Sequence, residues 1–278
     1  MHGRQPKNQL RMNRRLAAIF LATTFAAACV RRVDFGAHGQ QKDVEALLAL
    51  TAAAEESVYA VKGEAKLKLD TPQAKGGVTL FVAVSHPALI HLESLDFFGR
   101  PQAVLVSDGA RFGLYRADEG RYYRGPATAA NLGRFLPVAL PPRELTALLL
   151  GRAPRIPHES GELAFLPEAG TYRVTLHEGG VTQTLRVDPK SYRVLDSQVA
   201  GVNTYSLVFE GLETSRAGVF PRRIALRTPA AEQTVELRYT DIEVNEAPDL
   251  TLFELEPPGG SRVVEVDEAG IPRKDQGP

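Results

Sequence analysis

The chain has 278 residues, its 33 Lys and Arg balance 33 Asp and Glu, and it holds one Cys, two Met and no Trp. At 44% hydrophobic and 24% charged it has the composition of an ordinary globular protein, long enough for one large domain or two small ones, and not of a disordered, collagen-like or polytopic membrane protein. Zero net charge removes the simplest electrostatic case for nucleic acid, and a single Cys forbids an internal disulfide or a multi-thiolate metal site.

Residues 1–15 carry Arg4, Lys7, Arg11, Arg14 and Arg15 without an acid, Leu16 to Ala28 is apolar, and Cys29 follows three Ala. A basic stretch and a short apolar run ending in small residues predict a secretory signal peptide over 1–28, because a membrane span needs about 20 apolar residues. Its removal takes away five basic residues and leaves 28 Lys and Arg against 33 Asp and Glu, a charge of −5. The small residues before Cys29 resemble the lipobox of bacterial lipoproteins, although Ala26 stands where Leu is commoner. The resemblance implies that the Cys29 thiol is acylated and ties the chain to membrane lipid; the alternative is an ordinary thiol beside a conventional cleavage site. Residues 29–41 then read as a lipidated tether, 42–258 as one domain, and 259–278, after Pro257-Pro258-Gly259-Gly260, as a flexible tail.

The domain opens with a helical pattern, Val44, Leu47, Leu48 and the Ala-rich 49–54, with Asp43 as N-cap and Glu55-Glu56 reading as solvated. From 63 to 70 the period drops to two, with Ala65, Leu67 and Leu69 alternating with charged residues. Strand-like runs follow at 78–84, 103–107, 171–176, 181–187, 203–209, 219–227 and 234–244. Turn signals such as Asp108-Gly109, Asp118-Glu119-Gly120 and Glu178-Gly179-Gly180 recur between them, which predicts an antiparallel meander, as sandwich or barrel. In 234–244 the apolar phase slips by one residue after Tyr239, which predicts a β-bulge near Thr240-Asp241. Both phases of 78–84 are apolar, which fits either a central sandwich strand or a strand with an interior on one side and cover on the other. Helical spacing over 127–135 and from Pro141-Pro142 to Gly151 predicts two short helices, and Arg152 to Gly161 reads as a connector.

No nucleotide, hydrolase or zinc motif is present, so the reading is of a protein that is not an enzyme, with no metal and no cofactor. His86 and His91 stand five apart without a third ligand in sequence, and ordinary strand and turn positions explain them. Phe97-Phe98-Gly99-Arg100-Pro101 is conspicuous, because neighbouring residues of a strand face opposite ways. One ring is then exposed or at a loop tip, and the choice lies between a Phe tucked under a turn and an apolar tip meant for lipid or a partner.

Strand 89–96, the Phe-Phe-Gly loop, strand 103–107, Asp108-Gly109, strand 110–116, Gly120-Arg-Tyr-Tyr123 and Asn131-Leu-Gly-Arg-Phe-Leu-Pro-Val-Ala-Leu-Pro-Pro-Arg-Glu-Leu-Thr-Ala-Leu-Leu-Leu-Gly151 resemble the outer-membrane lipoprotein receptor LolB and related lipoproteins of unassigned role. The opening helix, Lys62-Gly63 and Phe253-Glu-Leu-Glu-Pro-Pro-Gly259 are similar to the wider LolA/LolB fold. The resemblance implies a mainly β protein, a curved, half-open antiparallel β-barrel with short helices as a lid over a cavity for acyl chains. It maps Phe98, with Phe97 and Gly99, onto the family's membrane-insertion loop, with the departure that this chain has no Trp. Leu80, Val82, Leu92, Leu105, Phe112, Leu114, Leu132, Phe135, Leu145, Leu148 and Leu149 are the expected cavity residues. The expected role is delivery or insertion of lipid or lipoprotein cargo at the outer membrane, facing the periplasm, with a periplasmic carrier protein as a further partner and no nucleic acid. Val30 stands where Asp would favour inner-membrane retention in some bacteria. The alternative is a structural or envelope-assembly lipoprotein that uses the same fold to hold a protein.

Overall fold

The structure, a computed structural model, describes residues 33–273 apart from 73, 134, 135, 137 and 255, so Cys29, the predicted signal peptide and Phe135 lie outside the described residues. From Val33 onward the chain forms one compact unit. Three helices, α1 (Val44–Glu56), α2 (Ala129–Gly133) and α3 (Pro142–Leu149), accompany fourteen strands. The strands before α2 are β1 (Ala60–Asp70), β2 (Lys75–Ser85), β3 (Leu89–Leu95), β4 (Pro101–Ser107), β5 (Arg111–Arg116) and β6 (Arg121–Pro126). Those after α3 are β7 (Ser160–Leu166), β8 (Thr171–Glu178), β9 (Val181–Val187), β10 (Val194–Ala200), β11 (Tyr205–Ser215), β12 (Gly218–Thr228), β13 (Gln233–Val244) and β14 (Arg262–Glu265).

All fourteen strands belong to one open sheet in the order β14-β6-β5-β4-β3-β2-β1-β13-β12-β11-β10-β9-β8-β7. Each half is a meander of hairpins, and β1 pairs with β13 across the chain to join the halves. Side chains of β2 and β3 line the same space as side chains of β12 and β13, so the sheet curls into a half-barrel, and α3 lies across its hollow side. This is the curved, half-open barrel with short helices that the sequence leads one to expect.

The predicted bulge is present. Glu64 faces Asp241 and Ala65 faces Tyr239, so Thr240 is the extra residue. Gly63 lies beside it at φ +147°, where a Cβ would fall 2.1 Å from the Asp241 carbonyl oxygen. Only Gly lets the two strands approach so closely, and the bend they make steepens the curl.

Asp43 caps α1 as expected, its carboxylate accepting the Ala46 N–H at 2.8 Å. The C-terminal ends of α1 and α3 meet over Arg193, which is buried and donates to the carbonyls of Ala54 and Gly151. Burial brings the Arg193 guanidinium down to about 10, which leaves it charged at neutral pH. Glu55 lies in the same cluster, 3% exposed, with Arg155 Nη2 at 2.6 Å, and the expectation that it is solvated is corrected here. Tyr239 adds a hydrogen bond from its hydroxyl to the Leu149 carbonyl at 2.7 Å.

Three further expectations change. The tether is packed in its last part: the Phe35 ring lies 5.0 Å from that of Phe165, Asp34 pairs with Lys190 at 2.8 Å, and the Gln41 N–H donates to the Tyr172 hydroxyl. The tail contains β14, which runs parallel to β6 and is followed by the buried Val266. Its physical reason is the edge: β6 would otherwise present a row of unpaired N–H and C=O groups. The connector ends inside strand β7.

An apolar trough and its rim as the candidate functional site

Where α3 crosses the hollow side of the sheet, the packing is incomplete. A narrow space of about 70 Å³ remains between Leu80, Val82 and Leu92 of the first half, Ile224 and Leu237 of the second, and Leu145, Leu148 and Leu149 of α3. A wider section lies on each side. One, of about 420 Å³ and bounded by Leu105 and Leu114, shares Leu67, Leu80, Leu92 and Leu136 with it. Another, of about 500 Å³ and lined by Val202, Thr204 and Tyr205, shares Val138, Leu148 and Leu226 with it. Each wide section falls in the ordinary range of ligand pockets, about 300–1,000 Å³. Among the described residues every side chain lining the narrow middle is aliphatic. What the space offers is an environment for hydrocarbon.

Among the described residues polar groups gather at the ends. Ser94, Gln102, Arg116 and Asp118 border the first wide section, and Arg116 is already held by Asp118 at 2.7 Å and Glu119 at 3.1 Å. The Asp118 and Glu119 carboxylates push the Arg116 guanidinium up, and the hydrogen bond from Arg116 holds Asp118 below its usual range. At the other end stand Glu144, Asn203, Thr204 and Thr228. Strand directions place the residues around both mouths, and the hairpin turns at 96–100, 117–120 and 201–204, at the same end of the strands.

The β3–β4 turn carries the Phe pair at that end. Phe97 is 96% exposed and Phe98 77%, their rings edge to face at 5.5 Å, which resolves the choice left open above in favour of an exposed tip. Asp96 pins the turn, its carboxylate accepting the N–H groups of Phe98 (2.8 Å) and Arg100 (2.9 Å) and pairing with the Arg100 guanidinium at 2.7 Å. Gly99 makes the turn at φ +77°, and Arg100 lies over the Phe98 ring at 5.4 Å.

Of the expected cavity residues, Leu80, Val82, Leu92, Leu145, Leu148 and Leu149 line the narrow middle and Leu105 and Leu114 the adjoining section. Phe112 and Leu132 are buried in the packed core and are not among the residues that line the trough. Phe135 and Cys29 lie outside the described residues. Leu67, Leu136, Val138, Ile224, Leu226, Val235 and Leu237 also line it and were not expected; alternation in β1, β12 and β13 marks the five strand residues as inward-facing, but not as lining a space, and Leu136 and Val138 lie between α2 and α3. His91 Nδ1 lies 2.7 Å from the Leu252 carbonyl oxygen and Nε2 3.3 Å from the Glu93 carboxylate, and no cluster of three or more His, Cys, Asp or Glu side chains suited to a metal occurs among the described residues. No helix among the described residues is long and apolar enough to cross a membrane.

Fold and site together define an open β half-barrel whose helices leave an apolar trough. The sequence matches no family profile and no curated protein. Among solved structures, a DUF1329 family protein from Desulfovibrio piger shares the fold, with a TM-score of 0.54 at 10% identity, over 78% of this chain and all of that one. A domain from Vibrio parahaemolyticus described as an outer membrane lipoprotein-sorting protein matches at TM-score 0.48 and 10% identity, over 76% of this chain and 97% of its own. A LolA superfamily protein from Nitrosomonas europaea matches at 0.47 and 12% identity, over 75% and 97%.

Proposed function

We propose that this protein is an envelope lipoprotein that takes acyl chains of a lipid or lipoprotein into the trough and gives them up at a membrane, without chemistry of its own. The observation that supports the reading is the narrow middle of the trough, aliphatic in every described lining residue and sharing side chains with two wider sections whose mouths lie at one end with the exposed Phe pair. Each methylene kept from water is worth about 0.8 kcal/mol, so an exposed acyl chain is held strongly by any apolar lining. A bilayer offers it the same environment. Transfer from trough to membrane is therefore near balance, and no nucleotide is needed to drive it. Acylation of Cys29 would hold the carrier at the outer membrane, where the tip formed by Phe97, Phe98 and Gly99 serves as the insertion point.

The test is uptake of a fluorescent fatty-acyl or lipopeptide probe by delipidated protein. Saturable uptake, displaced by unlabelled fatty acid, is expected; a folded protein that takes up neither probe overturns the reading and leaves a protein-binding envelope factor in its place. Membrane fractionation of a Cys29→Ser variant tests the anchor, with loss from the membrane fraction expected.

A further inference from the structure

The outer face of the sheet beside the Phe tip is basic, although the chain after the predicted signal peptide carries a net −5. Lys66 and Lys68 project outward from β1 and have no ion-pair partner among the described residues. Directly across the strands Lys66 faces Arg238 and Lys68 faces Glu236, while Arg238 faces Arg223, whose guanidinium Glu210 and Glu236 hold. Opposite Lys68 and Leu69, Gly77 and Gly76 leave bare backbone, and the result is a depression of about 600 Å³ edged by Lys66, Lys68, Lys75 and Arg238. The acids within it are spent: Asp70 on Lys75 at 2.9 Å, and Glu236 on Arg223 at 2.8 Å and Arg238 at 3.7 Å.

Leu95, the residue before the Phe tip, faces Thr79, and Thr79 faces Lys66. The tip therefore rises about 10 Å from the lysines, two strand spacings and one Debye length at ordinary salt. We infer that this basic outer face and the Phe97–Phe98 tip form one docking surface for an anionic lipid bilayer, the cations meeting headgroups while the two rings enter the apolar layer. A protein partner fits less well, because it needs a broad apolar core, and here the exposed apolar area is two rings on a narrow hairpin. Attraction of this kind amounts to several-fold in affinity for each cation near the surface. The inference rests on the proposed acyl-carrier reading only for its purpose, and its test is separate.

The experiment is co-sedimentation of the unit from Val33 onward with phosphatidylcholine vesicles, with and without phosphatidylglycerol. Binding that rises with phosphatidylglycerol and falls with salt is expected. A Lys66→Gln/Lys68→Gln variant should lose about tenfold in affinity for the anionic vesicles and nothing on the neutral ones, while Phe98→Glu weakens both. Melting temperatures close to the parent's show that these exposed substitutions leave the fold intact. Parent binding that ignores phosphatidylglycerol, or a double Gln variant that binds as the parent does, overturns the inference, as does binding to neither vesicle, which would point to an acidic protein. Probe uptake measured without vesicles reports on the trough alone, so either reading can fail while the other stands.

Discussion

Arg193 does for two helices what caps do for one. The last carbonyls of α1 and α3 converge on a single guanidinium, which leaves the two helices fixed to each other and to β10. Arg193→Met would orphan those buried acceptors and remove a cation from beside Glu55; on the order of 3–5 kcal/mol should be lost, read as a lower urea midpoint with an unchanged slope. Helical spacing puts Glu55, four after Thr51 and seven after Leu48, on the buried face of α1 and leaves Glu56 off it. Arg155, paired with Glu55 from a hundred positions away, is not announced by anything local. Asp96 is different, since its acceptor role can be read from Asp-x-x-Gly at a turn. Hydrogen bonds from Arg100 and Phe98 hold its carboxyl below the usual 3.8. A depressed acid contributes its full share above its ordinary pKa and loses it as pH falls through the folded one. The amide shifts of Phe98 and Arg100 should therefore stay constant in an NMR titration down to about pH 4 and move only below it.

At the scale of elements, alternation and turn chemistry locate many strands of the two meanders, though not β7 or β10, because each half of the sheet meets water on one face and the trough or core on the other. The bulge at Thr240 is equally legible, as a change of phase within one strand. The packed N-terminal segment and β14 are not. Phe35 stands alone among Gly and polar residues, and the run Val263-Val264-Glu265-Val266 is too short to outweigh the Pro-Pro-Gly-Gly before it. Both owe their order to what they cover, which is a tertiary fact. Deleting 261–278 tests the element. The Val266 contact with Gly125 and the Asn131 Nδ2 bond to the Asp267 carbonyl at 2.9 Å would go, and β6 would become a bare edge. Lower thermal stability and concentration-dependent association in sedimentation are expected; a truncated chain that stays monomeric and melts as the parent does would show that β14 protects nothing.

For the whole molecule the decisive pairing is β1 with β13, residues nearly two hundred positions apart, which sets one meander against the other and so creates a hollow side. That pairing explains why half of the trough's lining escaped a reading of the sequence: Leu92, Leu145 and Leu148 come from the segments that resemble a known family, whereas Ile224, Leu226 and Leu237 reach the site only through the curl of the sheet. It also supplies the sharpest test of continuity. Leu226 borders both the narrow middle and the wide section beneath Val202, and it is only half-buried, so a larger side chain there has room to turn into the passage. Overpacking costs about 1–3 kcal/mol, which a fold of this size tolerates. Leu226→Trp should keep the parent's secondary structure and most of its melting temperature while reducing uptake of a long-chain probe about tenfold, and a short-chain probe less. Since the chain has no other Trp, a fatty acid carrying a quencher also reports where it lies. Undiminished long-chain uptake with no quenching at position 226 would mean that the two wide sections bind separately and that no acyl chain passes under α3.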